Sequence, residues 1–234
     1  SADSLPRPER PAFLDLIDKA NHTDEQAVEF TRWKHSVAEW HTRRRLLRTK
    51  VGRLACALEG AEEFSHYPAI YFAYFADSRG RLYPMTYGLN PQGSDMQKAL
   101  LEFPDGMPVE TPDAIRWFLI NGANRYGFDK ANLEGRAKWV TDRQDLLLGF
   151  ADDPVNNSEW RDASKPLQFL AWCFEYADWV RDNTGAFRTH LPVAQDGSCN
   201  GLQNLSAMMR DEVGGAATNL RPADDMQDIY ADVA

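Results

Sequence analysis

One stretch of the sequence, beginning at Ser164-Lys-Pro166, is apolar on nearly every side of the helix that its residues predict. Proline suits the first turn of a helix, where its missing N–H would have no helical partner. A helix that is apolar all round must be buried, so any fold of this chain has to enclose it. Its side chains are predicted to form core rather than a platform for stacked bases: Phe169, Leu170, Trp172, Phe174, Tyr176 and Trp179.

Composition limits the kind of protein this can be. The chain has 234 residues, of which 43% are apolar, enough for one sizeable core or two small ones. Its three cysteines, Cys56, Cys173 and Cys199, lack C-x-x-C spacing, which favours a reducing compartment and argues against a zinc site. The sequence shows no signal peptide and no apolar run long enough to span a membrane. Because it starts at Ser1 and stops inside an apparent helix, we expect it to be a fragment.

A long helix is predicted near the start of the chain. Thr23 opens it, with Gln26 placed to complete a capping box. Apolar residues recur at alternating threes and fours from Phe30 to Leu58, which predicts a helix on the order of 50 Å long. This helix carries a basic block with no acidic residue among its members: Arg43, Arg44, Arg45, Arg48, Lys50 and Arg53. In a chain of net charge −9 this block is either a solvated face or a local phosphate-binding surface.

Two strands are predicted next, at 69–75 and 82–87, because both stretches are rich in aromatic and apolar residues. Asp77-Ser-Arg-Gly80 joins them as a hairpin turn, with Asp at its first and Gly at its fourth position. Arg79 and Arg81 would project from this hairpin as fixed guanidinium groups suited to phosphate. The alternative is a charged turn in water.

Helices dominate the middle of the chain. They are predicted at 94–103, from Thr111 with Gly122 near the end, and over 132–150, with a loop at 108–111. A strand from about Phe187 is expected to lead to Asp196. Two early strands, one late strand and helices between them predict an α+β fold, a small antiparallel sheet flanked by many helices.

The stretch from Leu191 to Arg210 concentrates the candidate chemistry. It is predicted to form a strand, a polar turn bracketed by Gly197 and Gly201, and a helix, with Asp196 at the strand's carboxyl end. A carboxylate beside a peptide carbonyl suits a hard cation such as Mg²⁺. Alternatively, Asp196 is a turn residue that caps the following helix.

The same residues allow a second kind of site. Gly197-Ser-Cys-Asn-Gly201 fits a nucleophile elbow centred on Cys199, as in a cysteine hydrolase. Such a site needs a histidine base later in the chain, and none follows Cys199. This interpretation therefore requires residues beyond Ala234. The histidines are His22, His35, His41, His66 and His190.

Several separated motifs resemble those of the single-subunit RNA polymerases of phages and mitochondria, and the phage branch fits best. They occur in collinear order between Arg43 and Ala234. The stretch 196–203 resembles the family's motif A. The full set is 77–83, 90–96, 122–124, 174–177, 196–203 and 209–215. Separated motifs in the right order are more specific than any one of them.

The resemblance implies the palm of a right-hand polymerase. Residues 1–60 would be a thumb-like helical segment whose long helix holds the product duplex. Residues 61–213 would be the palm, with a helical insertion at about 108–185, and 214–234 would start the fingers. The hairpin with Arg79 and Arg81 would contact the template and the RNA–DNA hybrid, with Arg81 matching the family's second arginine.

The resemblance also implies DNA-templated RNA synthesis from ribonucleoside triphosphates with two Mg²⁺ ions. Asp196 would be one of two catalytic aspartates, and Gly197 would offer its backbone carbonyl to a metal. The second aspartate belongs to a later motif, so the 234 residues alone are expected to be inactive. Related DNA polymerases carry a glutamate five places after this aspartate, crowding the ribose 2′-hydroxyl. Here that position is Gly201, which leaves space for the hydroxyl.

The expected partners are a DNA template, nascent RNA and ribonucleoside triphosphates, with no membrane, and the protein is expected to be a monomer. A phage protein in the cytoplasm of an infected bacterium is favoured over a mitochondrial one. One departure is Leu119, where many relatives carry a lysine that can reach phosphates. A non-catalytic nucleic-acid-binding module remains a further alternative.

Overall fold

A computed structural model describes residues 5–15, 22–86, 88–195, 197, 199–223 and 227–230. The chain divides into two compact units. The first comprises residues 1–75 and 85–89, and the second comprises residues 76–84 and 90–234.

The first unit is dominated by the predicted long helix. Helix α1 runs over Asp24–Phe64, 41 residues, which is about 60 Å at 1.5 Å per residue. The capping box of Thr23 and Gln26 is confirmed. The apolar stripe forms a helix but is not a buried face within this unit, since Val51, Leu54 and Leu58 are exposed. A short 3₁₀ turn precedes α1 at Ala12–Asp15.

The predicted hairpin is present but shorter than expected. Strand β1 covers Tyr74–Ala76 and β2 covers Leu82–Pro84, and they form a two-stranded sheet. Residues 69–73 carry no strand, and Tyr87, the expected end of the second strand, lies outside the described residues.

Seven helices follow in the described part of the second unit. They are α2 (Asp95–Ala99), α3 (Pro112–Tyr126), α4 (Leu133–Thr141), α5 (Gln144–Asp152), α6 (Pro166–Arg181), α7 (Asn200–Met209) and α8 (Glu212–Ala217), with a 3₁₀ turn at Glu159–Asp162. None of the helices in the described ranges has the length and apolarity of a membrane-spanning segment.

The predicted late strand is much shorter than expected. Strand β4 is only Arg188–Thr189 and pairs antiparallel with β3, Met107–Pro108, where a loop from 108 was expected. The pairs are Met107 with Thr189 and Pro108 with Arg188. Residues 190–195 leave regular structure, because Pro192 has no N–H to give to a ladder. The described strands thus form two separate two-stranded sheets rather than one, within a helix-rich α+β fold.

The core of the second unit forms around α6, as predicted. Phe169, Trp172 and Tyr176 are almost completely buried, and the Trp172 indole N–H donates to the Phe118 carbonyl at 3.0 Å. The prediction was wrong for Phe174, which is 44% exposed. Two positions beyond Trp172, it points to a different side of the helix, which the core does not cover.

Three helix boundaries differ from the predictions. Helix α2 ends at Ala99 rather than continuing to Phe103. Helix α3 continues through Gly122 and ends at Gly127, whose φ of 106° requires glycine. The stretch 132–150 forms two helices, because Arg143 (φ −118°, ψ 18°) leaves helical geometry between them. Gly122 does not end α3 but lets the helix approach the Trp172 ring of α6 closely, since an added Cβ would lie 2.4 Å from that ring.

Candidate nucleic-acid interface and metal site

The turn between β1 and β2 is tightly hydrogen-bonded. The Gly80 N–H donates to the Asp77 carbonyl at 2.9 Å, and the Asp77 N–H donates to the Arg81 carbonyl at 2.9 Å. Gly80 has a φ of 74°, a left-handed conformation that favours glycine. The predicted Asp-to-Gly turn is therefore confirmed, and it fixes the backbone from which Arg79 and Arg81 extend.

The Asp77 carboxylate organises this turn. Its Oδ1 accepts the backbone N–H groups of Arg79 at 2.8 Å and Arg81 at 3.0 Å. Its Oδ2 accepts Nε and Nη2 of Arg79 at 2.9 and 2.7 Å. These donors, the Arg81 amide foremost and the Arg79 side chain next, hold the pKa of Asp77 below its ordinary value. The carboxylate is therefore ionised at neutral pH.

The two arginines of the turn differ in the hydrogen bonds that their side chains make. The Arg79 side chain is paired with Asp77 and also donates to the Tyr83 hydroxyl at 3.1 Å, although it remains largely exposed. The exposed Arg81 side chain makes no hydrogen bond to the described residues. Arg81 is thus the more available cation for an anionic ligand, and Arg79 also holds the hairpin together.

The second candidate region begins after residue 190. Asp196 and Ser198 lie outside the described residues. Gly197 is described, and a Cβ there would lie 2.1 Å from Asn200 Oδ1, so a side chain would displace Asn200. Among the described residues no group of three or more His, Cys, Asp or Glu is arranged to hold a metal.

Gly201 lies in the first turn of α7. A Cβ there would meet no atom of the described residues within 4 Å, and its φ is not in the left-handed range. At this helix start Cys199 is left-handed, with a φ of 57°. The described backbone therefore does not require glycine at position 201.

Cys199 does not acquire the surroundings of a nucleophile in the described structure. It is half-buried at the N-terminus of α7. His190, the histidine nearest to it in sequence, has its Nδ1 2.7 Å from the Phe103 carbonyl oxygen. That nitrogen is thus committed to the backbone.

The basic block on α1 forms a groove within the first unit. Arg43, Arg45 and Arg48 are exposed, and Arg44 is half-buried with its guanidinium 5.2 Å from the centre of the Trp40 ring. The groove has a volume of about 450 Å³ and is lined by His41, Thr42, Arg44, Arg45, Arg48 and Thr49. Such a cationic groove is compatible with phosphate binding.

Sequence analysis missed a buried arginine, Arg125 of α3. Its guanidinium donates to Asn121 Oδ1 at 3.0 Å and to the carbonyls of Gln168 at 2.9 Å and Pro192 at 2.6 Å. Burial lowers its pKa to about 10, opposed by the charges of Glu175 and Asp95, so it is cationic at neutral pH. The available signal was spacing. Arg125 lies seven residues after Phe118, on one helix face with a core residue.

Two half-buried carboxylates, Asp95 and Glu175, interact electrostatically with the buried Arg125. Asp95 accepts the backbone N–H of Leu167 at 2.8 Å and caps the start of α6. Glu175 accepts the Thr189 hydroxyl and, at 2.8 Å, the His190 N–H. These interactions join α2, α3 and α6 to the segment that leads towards Asp196.

Leu119 stands at the position where many relatives are expected to carry a lysine. It lies in the core of the second unit and is 6% exposed.

Comparisons with known proteins bear on the whole chain. The family model of DNA-dependent RNA polymerase matches residues 109–234. The chain is 42% identical to a DNA-directed RNA polymerase of Enterobacteria phage T3, over 99% of the chain and 25% of that protein. It is 38% identical to T7 RNA polymerase of Escherichia phage T7, over 94% of the chain and 25% of that protein.

A mitochondrial relative matches a shorter part. The chain is 44% identical to the human mitochondrial DNA-directed RNA polymerase over 68% of its length and 13% of that protein. The chain thus spans about a quarter of the length of the phage relatives.

Proposed function

Because this chain belongs to the family of DNA-dependent RNA polymerases, we propose that the protein containing it carries out DNA-templated synthesis of RNA from ribonucleoside triphosphates. The observation that carries this proposal is the family match over 109–234, joined by 42% identity to a phage polymerase over 99% of the chain. These residues would form part of the catalytic domain of a nucleotidyltransferase.

The proposed architecture is that of a right-hand polymerase. Residues 1–60 form a thumb-like segment, 61–213 the palm with an insertion at about 108–185, and 214–234 the start of the fingers. The 41-residue helix α1 supports the thumb assignment, because a long helix with an exposed basic groove can track a duplex. The small sheets and packed helices of the second unit support the palm assignment.

We propose Asp196 and the Gly197 carbonyl as metal ligands. The donor set is a carboxylate with a backbone carbonyl, and such all-oxygen sets fit Mg²⁺. Two bound Mg²⁺ ions would lower the pKa of the attacking 3′-hydroxyl and neutralise the triphosphate. The chain's own contribution is to present the Asp196 carboxylate at the end of the segment that follows β4. The second aspartate would come from a later motif.

Nucleic-acid contacts are proposed for the hairpin and for α1. Arg81, whose guanidinium makes no hydrogen bond within the described part of the chain, would bind template or hybrid phosphates, and Arg79 would assist while it braces Asp77. Arg43, Arg44, Arg45 and Arg48 would bind phosphates of the product duplex. Contacts of this kind position the nucleic acid without reading its sequence.

Gly201 is proposed to permit a ribose 2′-hydroxyl. The space at its Cβ position supports this role, because no atom of the described residues lies within 4 Å of the point where a Cβ would be. A hydroxyl can therefore enter without being crowded from this position.

We further propose that the protein is a monomeric phage enzyme that works in the cytoplasm of an infected bacterium on DNA, nascent RNA and ribonucleoside triphosphates; the phage sources of the T3 and T7 relatives support the phage assignment. The cysteine hydrolase and the non-catalytic binding module have no comparable support.

The test is to express the whole protein containing these residues and to measure template-dependent RNA synthesis. We expect RNA whose sequence follows the template, and Cys199→Ala should retain this activity. Absence of templated synthesis, or hydrolysis that Cys199→Ala abolishes, would contradict the proposal. The 234 residues alone should make no RNA, because one aspartate cannot hold two metal ions in register.

A further inference from the structure

The buried guanidinium of Arg125 reaches the backbone just ahead of the proposed metal ligand. Its side chain is nearly enclosed, with 6% of the residue exposed. Its Nη2 lies 2.6 Å from the Pro192 carbonyl oxygen, and Pro192 is four residues before Asp196. Its Nε donates to Asn121 within the same helix, α3, and its Nη1 donates to the Gln168 carbonyl of α6. This side chain therefore ties α3, the helix that carries it, and α6 to the segment.

The neighbouring part of the segment is anchored by other groups. The Phe103 N–H donates to the His190 carbonyl at 2.8 Å, and Glu175 accepts the His190 N–H at 2.8 Å. These bonds fix the chain at residue 190. Arg125 carries the support two residues further towards Asp196.

Packing gives little support to the segment beyond Leu191, which packs against the core. Pro192, Val193 and Ala194 border a cavity of about 110 Å³, and Val193 and Ala194 are exposed. A segment beside a void has fewer van der Waals contacts to hold it in one place. The hydrogen bond from Arg125 is thus a specific restraint on where the segment runs.

We propose that Arg125 is a positioning residue for the metal site, setting the approach of the backbone to Asp196 through the Pro192 carbonyl; this rests on the proposed function. A guanidinium suits the task because its planar fork donates in several fixed directions at once. A lysine would offer one compact ammonium group and could not hold both helices and the segment in the same geometry. The opposite charges of Asp95 and Glu175 compensate the buried cation.

Arg136 offers a matched control. Its solvent exposure is similar, at 5% of the residue, and it donates to the backbone carbonyls of Ala131 at 2.8 Å and Asp129 at 2.6 Å and to Asn124 Oδ1 of α3 at 2.8 Å. These carbonyls belong to the loop between α3 and α4 rather than to the segment before Asp196. Arg125→Met and Arg136→Met should therefore lower thermal stability by similar amounts, although each removes the support of a different part of the second unit.

The experiment uses the whole protein and two readouts. The first is the Mg²⁺ concentration that gives half-maximal RNA synthesis. The second is local backbone cleavage near residue 196 by Fe²⁺ and peroxide, which reports a cation at the site without requiring turnover. Arg125→Met should raise the half-maximal Mg²⁺ about tenfold and weaken the cleavage, as loss of an outer support of a metal ligand does. Arg136→Met should match the wild type in both.

Equal behaviour of the two variants in both readouts would overturn the positioning role. If Arg125→Met does not fold, Arg125→Lys takes its place, with a smaller shift in the same direction expected and an unchanged Mg²⁺ requirement as the contradicting result. The wild-type measurements distinguish failure of the proposed function from failure of the proposed role of Arg125. A wild type without RNA synthesis or cleavage near residue 196 refutes the proposed function. An active wild type with an unshifted Arg125 variant refutes only the role of Arg125.

Discussion

Helix α6 and the segment 191–201 lie in the same unit and differ in how they are held. The inner face of α6 is packed on all sides, with Trp172 and Phe169 completely buried. In the described part of the segment, residues 191–195 are irregular, residues 191–194 border a cavity, and the Pro192 carbonyl accepts a hydrogen bond from Arg125. From this difference we expect stability and the proposed chemistry to depend on separate residues. Substitutions in α6 should therefore unfold the unit, and substitutions in 191–201 should alter function while the unit stays folded.

Two substitutions on α6 test most sharply whether one face of this helix is buried. Trp172→Ala should lower the free energy of unfolding by about 3–5 kcal/mol, because it leaves a large cavity and removes the hydrogen bond to the Phe118 carbonyl. Phe174→Ala, at a position 44% exposed, should cost about 1 kcal/mol or less. Urea denaturation of both variants measures the contrast, and equal losses would show that α6 is not buried on one side.

Gly122 tests how closely α3 approaches α6. A Cβ at this position would lie 2.4 Å from the Trp172 ring, so Gly122→Ala should destabilise the protein by about 1–3 kcal/mol. Gly149→Ala in α5 is the control, since its Cβ would meet Asn157 Nδ2 at 3.6 Å, an ordinary contact. Thermal unfolding should separate the two variants, and a stable Gly122→Ala protein would contradict the packing described.

Gly201 tests the other half of the comparison, where function should change without stability. Gly201→Glu in the whole protein should shift kcat/KM against ribonucleoside relative to deoxynucleoside triphosphates by roughly tenfold, about 1.4 kcal/mol. Gly201→Ala is the control. The alanine Cβ would meet no atom of the described residues within 4 Å, and replacing glycine by alanine stabilises a helix by up to about 1 kcal/mol. A folded Gly201→Glu variant with an unaltered ratio would remove Gly201 from sugar selection.

The smallest effect is expected at the hairpin. Arg81→Ala and Arg79→Ala should each weaken binding to a template–RNA hybrid whatever its base sequence, and reduce the slope of log K against log salt by about 0.9 per lost phosphate contact. Arg181→Ala is the control, because Arg181 pairs with Asp152 at 2.7 Å much as Arg79 pairs with Asp77. Slopes equal to the wild type would mean that neither arginine contacts a phosphate and that the Arg79 side chain only braces the turn.

Local signals in the sequence predicted local structure well. The capping box at Thr23, the turn from Asp77 to Gly80 and the all-round apolar helix from Pro166 are all present. Each depends on residues a few positions apart, whose physical preferences the sequence displays directly. The basic candidates Arg79 and Arg81 were placed on their turn for the same reason.

Features that depend on distant partners could not be predicted. The exposure of Phe174 depends on where other helices end, and the pairing of Met107 with Thr189 joins residues 82 positions apart. Arg125 shows the same limit, since its role comes from the carbonyls of Gln168 and Pro192, which no local pattern brings together. The strand expected to lead to Asp196 ends at Thr189, because an apolar stretch does not reveal whether a partner strand lies beside it.

The most direct test of the account is Asp196→Asn in the whole protein, compared with Asp178→Asn at an exposed position of α6. The amide keeps the size of the side chain but removes the negative charge that a pair of Mg²⁺ ions requires. The measurement is templated RNA synthesis together with DNA affinity on the same preparations. The account predicts that Asp196→Asn abolishes synthesis with DNA binding nearly intact and that Asp178→Asn matches the wild type. Synthesis at the wild-type rate by Asp196→Asn would contradict it.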